Sequence, residues 1–167
     1  MNTIKLTERD FKDTDSHYKE YIGKTDVSDY DGHIEIKGNL GWVRFIGLSA
    51  KGHIWSEAGT GIKAGEGIEA GEGIKAGWGI KAGEGIEAGL SITCKLVLKF
   101  SYRLFAGTAT WRDKDNEEKS ITCGKLEGGT VCYGDVKELG LPDETPKGKC
   151  VKVKLKGGEI VEGEIVD

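Results

Sequence analysis

Residues 62–94 repeat every six residues, and this period constrains the fold more than any other feature of the chain. Isoleucine occupies every sixth position, and alanine, or cysteine in the last unit, follows two residues later. The isoleucines are Ile62, Ile68, Ile74, Ile80, Ile86 and Ile92. A short fixed period is typical of solenoids, in which stacked units bury a face that one unit cannot bury alone.

Each six-residue unit has the pattern of a short strand followed by a corner. Residues two apart on a strand point to the same side, so isoleucine and alanine face inward and the lysine or glutamate between them faces outward. The Gly-x-Gly that follows suits a corner, because glycine adopts backbone conformations that other residues disfavour. Two glycines in six residues would destabilise a helix by roughly 1 kcal/mol each relative to alanine. The sequence therefore predicts an all-β protein built around a parallel β-solenoid.

The period continues on both sides of the glycine-rich tract. Upstream and downstream anchors are predicted at Ile34, Leu40, Ile46, Ile54, Leu98 and Leu104. The solenoid is therefore predicted to span residues 32–106. Its inward partners are large near both ends and small in the middle, which predicts a narrow central core.

The charges between the strands bear on the number of units in each coil. Three units per coil would give a triangular solenoid, with Lys63 stacked on Lys81. Two units would give a flattened, two-sided coil, with Glu69 beside Lys81 and Trp78 beside Leu90. Opposite charges on neighbouring strands stabilise a sheet by about 0.2–1 kcal/mol per pair, and like charges destabilise it. The charge pattern therefore favours the flattened coil.

The flanking segments lack the six-residue period. Residues 1–31 are predicted to cap the first coil, with Phe11, Tyr18, Tyr21 and Ile22 on one face of a short helix. Residues 107–167 are predicted to be rich in β-hairpins. One hairpin is expected at 107–123, and a second is expected to turn at Gly157-Gly158.

Composition limits the classes of partner and location. The 167-residue chain carries a net charge of −4 and shows no basic stripe in its sequence, so direct nucleic-acid binding is not expected. No apolar run approaches the length of a membrane span, and the N-terminus does not resemble a signal peptide. We therefore expect a cytoplasmic protein.

No metal or cofactor site is predicted. The four cysteines contain no Cys-x-x-Cys pair, and Ser-Ile-Thr-Cys occurs twice, which places Cys94 and Cys123 in small inward positions. Both are expected to be buried structural thiols, while the redox states of Cys132 and Cys150 stay open. Asp113, Asp115 and Glu117 alternate like calcium ligands but lack the glycine of a calcium loop, which favours a solvated turn.

Hexapeptide-repeat acyltransferases are the enzyme class nearest to this pattern. In those enzymes a small residue precedes the aliphatic one by two positions. Here that position holds Thr60, Glu66, Glu72, Trp78, Glu84 or Leu90. His53 is the one histidine that merits testing as a base. We therefore expect no enzymatic activity, and an acyltransferase-like enzyme is kept only as an alternative.

Trp78 occupies a corner position that holds glutamate in neighbouring units. Exposed tryptophan is enriched at binding hot spots. The sequence therefore predicts a non-catalytic protein that binds a partner protein through Trp78, Leu90, Glu66, Glu72 and Glu84. The alternatives are that Trp78 packs under a terminal segment or in a homodimer, and that the chain is a self-assembling structural protein.

The tract over residues 54–94 resembles a group of bacterial proteins, some of them encoded in prophage-like elements, that carry Gly-Ile-(Lys/Glu)-Ala-Gly repeats. The resemblance implies no activity residue by residue. A small acidic protein of this origin suggests by analogy an inhibitor of a bacterial defence complex, of the anti-CRISPR type.

Overall fold

The structure is a computed structural model that describes residues 1–14, 17–111, 115, 117–142, 150–154 and 160–164, the last two ranges by their backbone. The strands are β1 Asn2–Leu6, β2 Phe11–Asp13, β3 Tyr18–Tyr21, β4 Gly32–Ile36, β5 Gly41–Phe45, β6 Leu48–Ala50, β7 Ile54–Ala58, β8 Thr60–Ala64, β9 Ile68–Ala70, β10 Ile74–Gly77, β11 Ile80–Ala82, β12 Ile86–Ala88, β13 Ile92–Cys94, β14 Val97–Ala106, β15 Ser120–Cys123, β16 Lys125–Tyr133, β17 Asp135–Glu138, β18 Cys150–Lys154 and β19 Ile160–Glu164. In these ranges no helix is long and apolar enough to span a lipid bilayer.

The parallel strands form three stacks, one on each face of the coil, which confirms the β-solenoid. Face A contains β1, β4, β7, β10, β13, β15 and β17. Face B contains β3, β5, β8, β11 and the first halves of β14 and β16, and face C contains β6, β9, β12 and the second halves of β14 and β16. Ile80 pairs with Ile62 and Leu98, so successive coils are 18 residues apart.

The preference for a flattened coil was therefore wrong, because three units complete each coil. Lys63 lies directly beside Lys81, and Glu69 beside Glu87, the like-charge arrangement that the charge argument disfavoured. The physical reason is that the charge pairs are too weak to decide how the coil closes. Exposed charge pairs contribute roughly 1 kcal/mol or less each, whereas the backbone ladders and the buried isoleucines decide how the coil closes.

Inside the coil, each face contributes a continuous ladder of aliphatic side chains. Face A supplies Ile34, Ile54, Ile74, Ile92 and Ile121, all buried. On face B the second inward position is large at Phe45 and Phe100 and small between them, at Ala64 and Ala82, whereas on face C it is alanine on β6, β9, β12 and β14. The predicted change in side-chain size is therefore confirmed on face B only.

Two upstream anchors were misplaced by the six-residue extrapolation. Val43 and Phe45 face the core on β5, and Leu48 faces it on β6. Leu40 is buried before β5 begins, whereas Ile46 is 78% exposed at a corner. The cause is the longer coil at this point, since Val43 and Ile62 are paired although they are 19 residues apart.

The N-terminal segment forms strands, so the short helix predicted for Phe11–Ile22 was wrong. β1 pairs in parallel with β4 and is the first strand of face A. After one 3₁₀ turn at Glu8–Asp10, β2 and β3 pair antiparallel, and β3 continues face B. The rings of Phe11 and Tyr21 lie 5.8 and 5.4 Å from that of Phe45, and the three rings pack together beside the first coil.

The solenoid also continues beyond residue 106. β15 pairs in parallel with β13 and β17, and β16 pairs with β14, so the hairpin predicted at 107–123 was wrong. The hairpin near the C-terminus is confirmed, because β18 and β19 pair antiparallel. Its predicted turn at Gly157-Gly158 lies outside the described residues.

Candidate interaction surface on face B

Three units per coil place like charges on the same face. Arg44, Lys63, Lys81 and Lys99 occupy one outward column of face B, each paired with the next in register. Neighbouring strands in a sheet are about 4.8 Å apart, so this column of four cations is about 14 Å long. This column is not visible as a basic stripe in the sequence, because its residues are 18 or 19 positions apart and become neighbours only in the coil.

Trp42 lies along the same face and covers two glycines of later coils. A Cβ atom at Gly61 would lie 2.8 Å from the Trp42 ring, and one at Gly79 would lie 2.9 Å from its far edge. Because Gly61 and Gly79 have no side chains, the Trp42 indole can lie against the backbone there. We call these two glycines the bed of the indole. The ring reaches the corner where Trp78 stands, and the two ring centroids are 6.1 Å apart at an interplanar angle of 33°.

The cations on this face contact aromatic rings. The Lys81 ammonium is 4.4 Å from the centroid of the Trp42 ring, and the Lys63 ammonium is 4.8 Å from that of Tyr18. Arg44 donates a 2.9 Å hydrogen bond from Nη1 to the Tyr18 hydroxyl and also lies over its ring. Contacts of this kind stabilise an exposed cation by about 0.5–1 kcal/mol and leave its positive charge in place.

No described carboxylate lies within 4.0 Å of the charged nitrogens of Arg44, Lys63 or Lys81. Lys99, at the end of the column, is 3.6 Å from Glu127. Trp78 is 37% exposed although it contacts Trp42. We call Trp42, Trp78, Lys63 and Lys81 the tryptophan–lysine surface.

The structure places the five predicted partner-binding residues at three different corners. Trp78 stands between faces A and B, where its backbone N–H donates to the Thr60 carbonyl. Glu66 and Glu84 are neighbours at the corner between faces B and C, and Glu72 and Leu90 are neighbours at the corner between faces C and A. The expected apolar patch of Trp78 with Leu90 is therefore not formed, because it required a 12-residue coil.

His53, the candidate base, lies away from this surface. Its ring is stacked between those of His33 and Trp55, with both centroid distances 4.1 Å. Burial, and the neighbouring His33, lower the pKa of His53, and this effect is partly offset by Glu72 and Glu35. Both faces of the imidazole are covered, which limits its access to a substrate.

The thiols expected to be structural are in the predicted inward positions. Cys94 and Cys123 are buried free thiols on adjacent strands of face A. Burial raises the pKa of Cys94 to about 12 and that of Cys123 to about 11. Cys132 is an exposed free thiol, and the side chain of Cys150 lies outside the described atoms.

The predicted turn at 113–117 is described only in part. The Asp115 carboxylate accepts hydrogen bonds from the N–H groups of Glu117 and Glu118, both at 2.9 Å. These bonds occupy one of its oxygens with backbone donors, as in a turn. Asp113, the first of the three carboxylates considered as calcium ligands, lies outside the described residues.

Comparison with known proteins found no matching family, no similar curated protein and no matching solved structure. The surface on face B therefore has to be interpreted from its own chemistry. Sequence reasoning identified Trp78 but missed Trp42, because the two tryptophans are 36 positions apart. The available signal was the spacing of lysines at 63, 81 and 99, but the like-charge pair of Lys63 and Lys81 was counted against the three-sided coil.

Proposed function

We propose that this protein is a non-catalytic β-solenoid that binds another protein through the tryptophan–lysine surface. The observation that carries the proposal is the pairing of Trp42 with Trp78 beside cations that have no described carboxylate partner. Tryptophan and arginine are enriched among the residues that dominate binding energy, and Trp42, Trp78 and Arg44 all lie on or beside this face.

The surface is suited to binding because its backbone is held in a stack of parallel strands. A side chain on a rigid sheet loses less conformational freedom on binding than one on a flexible loop. Trp42 is also held in place by the bed formed by Gly61 and Gly79. The surface therefore needs little rearrangement to accept a partner.

The expected partner is a protein with an acidic patch next to an apolar residue. Carboxylates complement the column of Arg44, Lys63 and Lys81, and an apolar or aromatic side chain fits against the exposed edge of Trp78. The analogy with inhibitors of bacterial defence makes a component of such a complex one candidate for this partner. Identification of the bound protein decides that point.

The proposal is tested by affinity capture from nuclease-treated bacterial lysate. We expect one stoichiometric protein partner that is lost with Trp78→Ala and with Lys81→Glu. The matched control is Trp55→Ala, which removes an exposed tryptophan from face A. Loss of capture with the control as well, or retention with both surface variants, would refute this surface as the interface.

Self-assembly is the second candidate function, and a different part of the molecule favours it. The strand β17 lies at the edge of face A, and the last coil exposes Tyr133, Val136, Leu139 and Leu141. An exposed strand edge with apolar side chains is a template for pairing with another chain. Light scattering over a concentration series distinguishes the two functions, because end-to-end assembly gives large species. The substitution Val136→Lys should abolish these species.

An acyltransferase-like enzyme, the remaining alternative, gains no support from the arrangement around His53. Its ring is covered on both faces by His33 and Trp55. A general base must come within hydrogen-bond reach of the proton that it removes. An acetyl-transfer assay on wild-type protein and His53→Gln tests this alternative, and a His53-dependent activity would revive it.

A further inference from the structure

Three potential metal ligands from successive coils meet at the corner between faces C and A. Glu72 Oε2 lies 3.7 Å from His33 Nδ1 and 3.6 Å from His53 Nδ1. One ligand atom from each of the three residues lies within 4.8 Å of the others. The three residues form no metal-binding motif in the sequence, because they are 19 to 20 positions apart. Only the coil brings them together.

The two distances to Glu72 are close to those of a tetrahedral site, but the rings of His33 and His53 stack at 4.1 Å and 25°, so one imidazole must turn before both bind the same ion. A zinc ion binds nitrogen and oxygen ligands at about 2.0–2.1 Å, which separates its ligand atoms by about 3.4 Å. The two distances to Glu72 Oε2 exceed this value by only a few tenths of an ångström. Glu72 is the most exposed of the three, at 34%, against 19% for His33 and 16% for His53. Its side chain is therefore the least restricted of the three.

A carboxylate lies near the second ring nitrogen of His53, though beyond hydrogen-bond distance. This nitrogen, Nε2, is buried and has no hydrogen-bond partner among the described residues. The nearest carboxylate oxygen, Glu35 Oε1, is 3.8 Å away. Ligating histidines commonly donate the second ring N–H to a carboxylate, which fixes the tautomer. A shorter contact with Glu35 in the metal-bound protein would satisfy Nε2–H and leave Nδ1 without a proton, as a metal ligand requires.

We infer that His33, His53 and Glu72 bind a divalent transition metal of the Zn²⁺ class. Two imidazoles and one carboxylate suit such ions. Binding has an internal competitor, because His33 Nδ1 already accepts a 3.0 Å hydrogen bond from the His53 N–H. Coordination replaces that hydrogen bond, and the fourth position is left to water.

The test is calorimetric titration of the untagged full-length protein with ZnCl₂, paired with the visible spectrum on adding CoCl₂. We expect one Zn²⁺ per chain and a Co²⁺ spectrum typical of four-coordination. Glu72→Gln and His53→Gln should each weaken binding roughly tenfold or more. Glu84→Gln is the matched control, because it changes a corner carboxylate of the same repeat that has no histidine neighbour, and it should leave binding unchanged.

Two results would overturn the inference. The first is the absence of stoichiometric Zn²⁺ binding by the wild-type protein. The second is equal affinity in wild type and Glu72→Gln, which would place the ion elsewhere on the chain. Glu72 is partly exposed and accepts no described side-chain hydrogen bond, so this variant should fold, and circular dichroism confirms that before titration.

Discussion

The indole of Trp42 reaches that of Trp78 across two coils, with 6.1 Å between the ring centroids. The contact depends on the two glycines that lie between the rings. Gly61 and Gly79 have no side chains, so the surface of face B is flat enough for the Trp42 ring to rest on it. The repeat therefore uses glycine on the strands as well as at the corners, and one consequence is a preformed aromatic surface.

Substitution of Gly61 by alanine tests this bed directly. The new Cβ would lie 2.8 Å from the Trp42 ring, so we expect the ring to move away while the solenoid stays folded. Near-ultraviolet circular dichroism should report the loss of the Trp42–Trp78 contact, and partner capture should weaken. Gly67→Ala is the control, because its Cβ meets its nearest neighbour at 3.4 Å, an ordinary contact. An unchanged spectrum for Gly61→Ala would contradict this arrangement.

The inward register can be tested with two isoleucines. Ile74 is buried, and Ile74→Ala should lower the free energy of unfolding by about 2–5 kcal/mol, because it leaves a cavity in the core. Ile46 is 78% exposed, and Ile46→Ala should change stability by about 0.5 kcal/mol or less. Urea denaturation of both variants gives the comparison. A large effect at Ile46 would support the uniform six-residue register instead.

A charge reversal on face C distinguishes the two coil types. Glu87 lies beside Glu69 in the three-sided coil, so Glu87→Lys should stabilise the protein by about 0.2–1 kcal/mol at low salt. The gain should shrink as salt is added, because exposed charges are screened. In a two-sided coil the new lysine would lie beside Lys75 and Lys99, and the same substitution would destabilise the protein.

The thiols should differ widely in reactivity. The raised pKa values of Cys94 and Cys123, about 12 and 11, keep both thiols protonated at pH 8, and both are also buried. The thiolate is the reactive form. Iodoacetamide labelling followed by peptide mass spectrometry should therefore modify Cys132 first and Cys94 and Cys123 only after denaturation. Labelling of Cys94 at the rate of Cys132 would contradict the burial.

The part of the fold that could be predicted is the part fixed by local pattern. Alternation of Ile74, Lys75 and Ala76 determines which side chains point inward, whichever way the coil closes. The closure could not be read from the charges, because the preference between Lys63–Lys81 and Glu69–Lys81 neighbours is smaller than the energies of backbone pairing and core packing. Because the predicted closure of the coil was wrong, every contact predicted between neighbouring coils was misplaced as well.

The candidate surface shows the same limit. Trp78 could be singled out because it breaks the repeat at an exposed position. Its neighbour Trp42 lies in an upstream stretch where the six-residue spacing changes, so no pattern connected the two. The cluster of His33, His53 and Glu72 was missed for the same reason, since it exists only when residues 19 to 20 apart are stacked.

The most direct test of the account is a disulfide cross-link between outward positions of the solenoid, in a Cys132→Ser/Cys150→Ser background. Lys63 and Lys81 are paired in register on face B, and neighbouring strands about 4.8 Å apart lie within the Cα range of a disulfide, about 4.4–6.8 Å. Lys63→Cys/Lys81→Cys should therefore cross-link on mild oxidation, as detected by mass spectrometry. Lys63→Cys/Lys75→Cys, which joins faces B and A, should not. Cross-linking of the second pair and not the first would contradict the three-sided coil, and with it the tryptophan–lysine surface.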